Sequence, residues 1–390
     1  MNLFDVYTLW DIEPVKASGT KVWDSNGIEY LDLYGGHAVI SIGHCHPTYT
    51  SMLHAQLDKL GFYSNAVQNS LQRELAEELG NICGYPQYSL FLCNSGAEAN
   101  ENAMKAASFQ TGRKRILAIG KAFHGRTSGA VEATDNPKIQ APFNRNSNIT
   151  FIPINDIDAL ESNLKSRQYA AFIFEGIQGV AGIYEPSVEY LRRAEELCKE
   201  TGTILIADEV QSGCGRTGDF FAHQKSGVKP QIITMAKGTG NGFPIGAVLL
   251  SGDIKAEKGM LGTTFGGNHL ACTAAIAVMK VIRKENLLEN ARKMGDYLLN
   301  ALRGNKAIKE LRGRGLMIGI ELQPEYEDLR NRLLFEEHIF TGGAGKRVIG
   351  CFLRSALAKR IAIDLLRHLT NLQNETFYIC SRYWRFEICS

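Results

Sequence analysis

Between about residue 89 and residue 250 the chain repeats one pattern, a short apolar or β-branched run followed by a longer stretch of helical character. The runs are SLFLCNSG, RILAIG, NITFIPI, AAFIFEGI, TILIADEV, QIITMAKG and IGAVLLSG. Strands alternating with helical segments form βαβ units, which close into a mainly parallel sheet with helices on both faces. The fold class is therefore α/β. The first 60 or so residues and the region after Asn268 lack this pattern. KVWDSNGIEYLDLYGG reads as a hairpin with Asn26 and Gly27 at its turn, and both chain ends are expected to build a second, smaller α+β layer.

At roughly 150 residues per domain, 390 residues allow two or three domains, or one large body with a smaller companion. Hydrophobic residues at 44% and charged residues at 22% are ordinary for a globular chain and exclude disorder, collagen-like repeats and coiled coil. A balance of 43 basic against 41 acidic residues leaves +2, which calls for neither nucleic acid nor an anionic membrane; the partners expected are small molecules. No apolar run reaches the roughly 18 residues of a membrane span, and MNLFDVYTLW has no basic segment leading a hydrophobic one, so a cytoplasmic protein is expected. The nine cysteines are scattered without a CxxC pair, which fits buried thiols and neither a disulfide framework nor a zinc ribbon.

Ligands of open α/β sheets sit beyond the carboxyl ends of the strands, and polar residues follow the runs there. Asn94-Ser95-Gly96-Ala97-Glu98 ends one run and opens a helical stretch whose first amides could hold a phosphate. Ser95 and Glu98 also have capping-box spacing, which satisfies those amides with no ligand at all. Asp208 ends TILIADEV, either as an exposed loop acid or cap, or as the counter-ion of a buried cationic ring nitrogen. Lys237 ends QIITMAKG, where desolvation would make a reactive amine, against the alternative of a solvated surface group. Phe123-His124-Gly125-Arg126 places a ring and a guanidinium at another strand end, for packing and solvent or for stacking on a flat cofactor and gripping a carboxylate.

Two other motifs are set aside. Gly213-Cys-Gly215-Arg-Thr-Gly218 matches GxGxxG, but Asp219-Phe-Phe-Ala-His is a poor helix start and no acid closes a later strand about 20 positions on. His44 and His46 alternate in an extended segment with no further ligand cluster nearby, so no metal is expected.

Order and spacing together are more specific than any one piece. SGAEAN, FHGRT, EGIQG, ADEVQSGCGRTG, AKGTGNGFPIGA and TTFGGN resemble the fold-type-I pyridoxal-phosphate (PLP) enzymes of the ornithine-aminotransferase-like subgroup (class III), and within it the acetylornithine aminotransferases of arginine biosynthesis, from about residue 10 to 343. The resemblance implies a large PLP-binding domain at 61–268 and a small α+β domain from 1–60 with 269–345. Lys237 would carry the cofactor and shuttle a proton, and Asp208 would keep the pyridine nitrogen protonated. Gly96 and Ala97 would bind the phosphate, Phe123 would stack on the ring beside His124, Val210 and Gln211 would pack on and hydrogen-bond the cofactor, and Glu175 would form the wall behind. Thr264 would reach the phosphate of the neighbouring subunit, implying a homodimer with shared sites. Arg126, with Thr263 nearby, would bind a substrate carboxylate. The implied reaction passes the terminal amine of an N-acyl-ornithine, acetyl or succinyl, to 2-oxoglutarate, giving a semialdehyde and glutamate. The competing readings are a PLP aminomutase, a transaminase of another ω-amine such as 4-aminobutyrate, an inactive PLP-binding remnant, and, from GCGRTG, a nicotinamide oxidoreductase.

The chain departs from that pattern at three places. Gly176 stands where the family usually has proline, and Val180 where many members have a second glutamate that serves free ornithine. After Thr341-Gly342 the family continues into a strand resembling Arg-Leu-Leu-Pro-Pro-Leu, with an arginine on the far side of the substrate site; here the text is Val348-Ile-Gly-Cys-Phe-Leu-Arg-Ser-Ala. One allowed spelling of Ile349 to Ala356, ATC GGT TGC TTC CTC CGC TCT GCT, reads from its third base as CGG TTG CTT CCT CCG CTC TGC, or Arg-Leu-Leu-Pro-Pro-Leu-Cys. A frameshift shortly after Thr341 is therefore expected, with 346–390 as an aberrant C-terminal tail. Resequencing the gene decides it, and a verified frame without that shifted reading ends the idea.

Overall fold

The computed structural model describes residues 1–352. At its centre is a seven-stranded sheet in the order Ser89–Cys93, Gly246–Leu250, Ile232–Met235, Ile204–Asp208, Tyr169–Glu175, Arg115–Ile119, Ile149–Ile152. Gly246–Leu250 runs antiparallel to both its neighbours, and the other adjacent pairs are parallel. The seven apolar runs of the sequence are these seven strands.

The strands from Tyr169 to Glu175, Ile204 to Asp208 and Ile232 to Met235 are buried throughout, as strands covered on both faces must be. Alternate residues feed two cores. Phe172, Phe174, Leu205 and Ile233 belong to the larger one with residues of Ser70–Cys83, Val188–Thr201 and His269–Lys284. Ala171, Ile173, Ile206 and Ile232 face the other, where the helix Gly96–Thr111 contributes Ala99, Ala103, Ala106 and Ala107. Those small side chains let the helix lie close on the sheet, which brings its polar Asn100 to the strand ends.

Two four-stranded sheets flank this body. One joins Pro14–Ser18, Lys21–Asp24, Glu29–Asp32 and Ile339–Phe340. Its hairpin turns at Asn26-Gly27, with Gly27 at φ +82° and the Asp24 carboxylate accepting from the amides of Asn26 (3.0 Å) and Ile28 (2.8 Å). The other is antiparallel and orders Ile308–Arg314, Met317–Leu322, Val348–Phe352 and Gly342–Ala344. A separate core of Leu33, Ala291, Leu298, Ile318, Ile320 and Ile349 draws on both chain ends. The strand Val348–Phe352 lies inside the stretch set apart by the frameshift reading, with Ile349 and Cys351 buried; residues 353–390 of that tail lie outside the described residues.

Candidate active site

Five polar segments emerge at one edge of the central sheet and enclose a cavity of about 450 Å³. It is lined by Gly96, Ala97, Phe123, His124, Arg126, Glu175, Val180, Asp208, Val210, Gln211 and Lys237, among others. Glu175 and Asp208 are partners in register at the ends of adjacent parallel strands. Lys237 follows the next strand at φ +47°, a left-handed conformation that non-glycine residues adopt at a cost and that recurs at functional sites.

Asp208 is 3% exposed, and a carboxylate so placed needs donors. Its Oδ2 accepts from Asn100 Nδ2 (2.7 Å) and His124 Nδ1 (2.7 Å), and its Oδ1 from the Val210 amide (3.0 Å). Asn100 is itself fixed, since its Oδ1 accepts from Thr234 Oγ1 (2.6 Å) and its Nδ2 also donates to the His124 carbonyl (2.8 Å). Sequence reasoning passed over Asn100 and Thr234. Their only signal was polarity on faces otherwise apolar, Asn100 among the alanines of its helix and Thr234 within IITM.

The Lys237 ammonium is held below its ordinary pKa: burial disfavours the charge, Asp208 and Glu175 oppose that, and Arg216 adds to it. Such an amine loses its proton more readily and is the nucleophile a carbonyl needs. Glu175 accepts from the amides of Phe123 (3.0 Å) and Gly179 (3.2 Å). Burial pushes its carboxyl up to about 7, His124 pulls it down, and Asp208 pushes the same way as burial.

At Ser95 the cap is made, with Oγ accepting from the Glu98 amide at 3.1 Å. Glu98 reaches past Ser95 to the Asn94 amide (2.8 Å), so the box is not reciprocal. The amides of Gly96 and Ala97, in the first turn, have no intrahelical acceptor and line the cavity. An added Cβ on Gly96 would stand 2.6 Å from Val210 Cγ1, so only glycine lets these walls approach. Two buried polar atoms, Gln211 Oε1 and His124 Nε2, have no partner among the described residues. The set fits PLP, with amides for a phosphate, a carboxylate held by three donors for a ring nitrogen, spare capacity on Gln211 and a lowered amine for an aldehyde.

Three sequence-derived residues stand differently. Arg126 is exposed at the cavity mouth. Thr263 lines a neighbouring cavity, and its Oγ1 accepts from Nδ2 of Asn94 (3.2 Å), a residue that lines the main cavity. Thr264 is exposed and lines neither. Gly176 has a packing reason, because a Cβ there would meet Glu209 Oε1 at 2.6 Å and Ala222 Cβ at 2.8 Å. That carboxylate is fixed by Ser212 Oγ (2.6 Å) and His223 Nδ1 (2.8 Å). GCGRTG forms turns and leads to the short 3-10 segment Ala222–Ser226, with no helix on its third glycine. His44 and His46 turn to separate carboxylates, Asp32 (2.8 Å) and Glu285 (2.9 Å).

A buried amine and a carboxylate held by three donors at neighbouring strand ends of a mainly parallel sheet, with open helix amides on the same cavity, mark the fold-type-I PLP enzymes. Within that class the chain belongs to the class-III aminotransferases, whose family profile, Aminotransferase class-III, matches residues 6–359. The match takes in the first part of the 346–390 stretch. An acetylornithine aminotransferase of Methanosarcina acetivorans is 44% identical over 312 residues, 79% of this chain and 78% of that one. One from Bacillus cereus is 39% identical over 355 residues, 89% and 91% of the two chains. The solved ornithine aminotransferase of Toxoplasma gondii superposes with a TM-score of 0.89 at 29% identity, covering 96% of this chain and 93% of its own. The acetylornithine aminotransferase structure from Elizabethkingia anophelis gives 0.80 at 28%, with 94% of each chain covered. The protein is thus a PLP-dependent aminotransferase.

Gly96 offers a local check. Gly96→Ala is expected to weaken PLP retention about ten-fold, because one methyl forced against the stiff Val210 costs on the order of 1–3 kcal/mol and 1.4 kcal/mol is a factor of ten. Titration of the apoenzyme with PLP measures it. An unchanged affinity would remove the cradle argument.

Proposed function

We propose that this aminotransferase moves the terminal amine of an N-acyl-ornithine, acetyl or succinyl, to 2-oxoglutarate, leaving a semialdehyde and glutamate, in arginine biosynthesis. One observation carries the choice of substrate: Val180, 53% exposed, lines the cavity that also holds Arg126. No described carboxylate forms an ion pair with Arg126, so it is available to carboxylates of both substrates in turn. An apolar Val180 suits a capped α-amine better than a charged one. The names of the curated relatives, acetylornithine aminotransferases at 38–44% identity, support the same reading.

Bound PLP supplies the aldehyde that takes the amine and a cationic ring that draws electrons from the substrate carbon. The chain does the rest. Asp208 holds the proton at the ring nitrogen, Asn100 and His124 hold Asp208, the Gly96 and Ala97 amides anchor the phosphate, and Phe123, Val210 and Gln211 orient the ring. Lys237 Nζ takes and returns the proton at the reacting carbon, and burial, which lowers its pKa, favours the neutral amine that accepts it.

The same reading extends to assembly. A homodimer with shared sites is supported by the exposed Thr264 and by the ring pair next to it, Phe62 and Phe265, 41% and 60% exposed with centroids 5.3 Å apart. The proposed domains are 61–268, and 1–60 with 269–345. The core around Leu33 and Ile318 supports the second, with His269–Lys284 packed into the larger core as the joint between them. A cytoplasmic location is proposed, and no described helix is long and apolar enough to cross a membrane.

Turnover of acetylornithine, succinylornithine, free ornithine and 4-aminobutyrate with 2-oxoglutarate tests the assignment. An acyl-ornithine is expected to have the highest kcat/KM by about ten-fold or more, on the order of one unfavourable charge burial avoided. A preference for ornithine or 4-aminobutyrate overturns it.

A further inference from the structure

The cavity holds two carboxylates at the ends of adjacent strands, and their surroundings are unequal. Asp208 has three donors, two of them side-chain N–H groups. Glu175, 5% exposed, has two backbone amides. Paired carboxylates whose surroundings differ divide their roles, one staying ionised while the other exchanges a proton. The PLP reading assigns the work of a fixed anion to Asp208. Glu175 has no such assignment.

What Glu175 touches suggests its part. Oε1 accepts from the amide of Phe123, whose side chain lines the cavity, and Oε2 from the amide of Gly179, next to Val180. Gly179 is in turn pressed under Gln211, since an added Cβ would stand 1.3 Å from Gln211 Oε1. One carboxylate thereby ties together the segment that bears the aromatic wall and the loop that bears the apolar wall, and that loop lies against the side-chain amide of Gln211.

We infer that Glu175 is a positioning residue that holds Phe123 and Gly179 at their cavity positions while it is ionised, and slackens that hold when it takes up a proton. The inference rests on the cavity being the PLP site. A protonated carboxyl turns one of its oxygens into a hydroxyl, an uncharged and poorer acceptor, so one of the two amides is held more weakly. The charged and titratable groups facing Glu175 are His124 from the segment after Arg115–Ile119, Asp208 from the neighbouring strand and Lys237 from the segment after Ile232–Met235. Burial, with Asp208 adding to it, pushes the carboxyl up to about 7, so the exchange falls at neutral pH. Ionisation favours the ordered walls, and kcat/KM for the amine donor therefore rises with pH through this range.

The test compares the holoenzyme with Glu175→Gln, whose amide oxygen accepts one of the bonds and whose amide nitrogen cannot accept the other. From about pH 6 to about pH 8 the parent is expected to gain about ten-fold in kcat/KM. The variant stays at the low value throughout, with KM for the amine donor raised more than kcat is lowered. A purely structural role would lower activity without removing the pH limb, so a variant that keeps the limb overturns the inference. Infrared difference spectra of the unaltered protein, labelled at its glutamate carboxyl carbons, supply a readout independent of turnover and of the variant's folding. A protonated-carboxyl band is expected at about pH 6 and is lost by about pH 8; its absence overturns the inference as well. Borohydride fixation of PLP at Lys237 is followed in parallel, and its failure would count against the cofactor site itself and not against Glu175 alone.

Discussion

Replacing Lys237 with alanine is expected to lower transamination by about 10⁴-fold or more and to abolish the borohydride-stable attachment of PLP to the chain. Both effects have one cause. The amine is the only primary amine lining the cavity among the described residues, and on the proposed reading it serves twice, first as the nucleophile that carries the cofactor and then as the base that moves the proton at the substrate carbon. Losing either function costs orders of magnitude, and losses by a group acting as a unit do not add. Lys237→Arg is expected to do no better, because a guanidinium keeps its charge and its proton at every accessible pH. Any external rescue by small amines should restore the proton transfer and not the attachment. Spectra of the purified variant decide the matter, together with single-turnover amine transfer. A variant that still carries PLP after borohydride and dialysis, bleached and fixed to another amine, would sink the assignment of the whole site.

Much of this arrangement was legible because it lies along the chain. Asp208, Lys237 and Glu175 each end an apolar run, and a parallel sheet carries all such ends to one edge, so reading the runs already collects the residues. Gly96 and Ala97 follow from the same rule plus a helix start. The residues that escaped are those whose meaning is a contact. Asn100 meets Asp208 across 108 positions and Thr234 meets Asn100 across 134, and nothing local marks a helical asparagine as the holder of a carboxylate. The tie from Glu175 to Phe123 and Gly179 runs through backbone amides, which carry no residue signature. The bond from Asn94 Nδ2 to Thr263 Oγ1 spans 169 positions and has no local cue either. The conformation of Lys237, at φ +47°, likewise has no cue in the sequence, since the left-handed region favours glycine and asparagine.

Asp208→Asn should be the second most damaging change, lowering kcat by about 10²–10³-fold, the loss typical when an electrostatic partner is removed from a dry site. The substitution keeps the shape and deletes the charge. Without an anion the ring nitrogen gives up its proton, and with it goes the electron withdrawal that stabilises the substrate carbanion. A second loss falls on the protein side. Oδ2 now receives N–H groups from both Asn100 and His124, and an amide nitrogen turned toward either would set donor against donor. The amide must therefore turn its oxygen there and leave its nitrogen toward the Val210 amide, another donor, and each such mismatch costs about 1–3 kcal/mol. PLP retention should accordingly fall along with kcat, whereas binding of 2-oxoglutarate, proposed to use the exposed Arg126, should change little. Asn100→Ala provides the matching control, because it leaves the charge and removes one of its holders. It is expected to lose less than Asp208→Asn and to shift the visible absorption of bound PLP in the same direction. Half-reaction rates with an acyl-ornithine, read beside those spectra, separate the two. Were Asp208→Asn to keep kcat within ten-fold of the parent, the ring nitrogen would have no need of this carboxylate, and the net of hydrogen bonds around it would be structural.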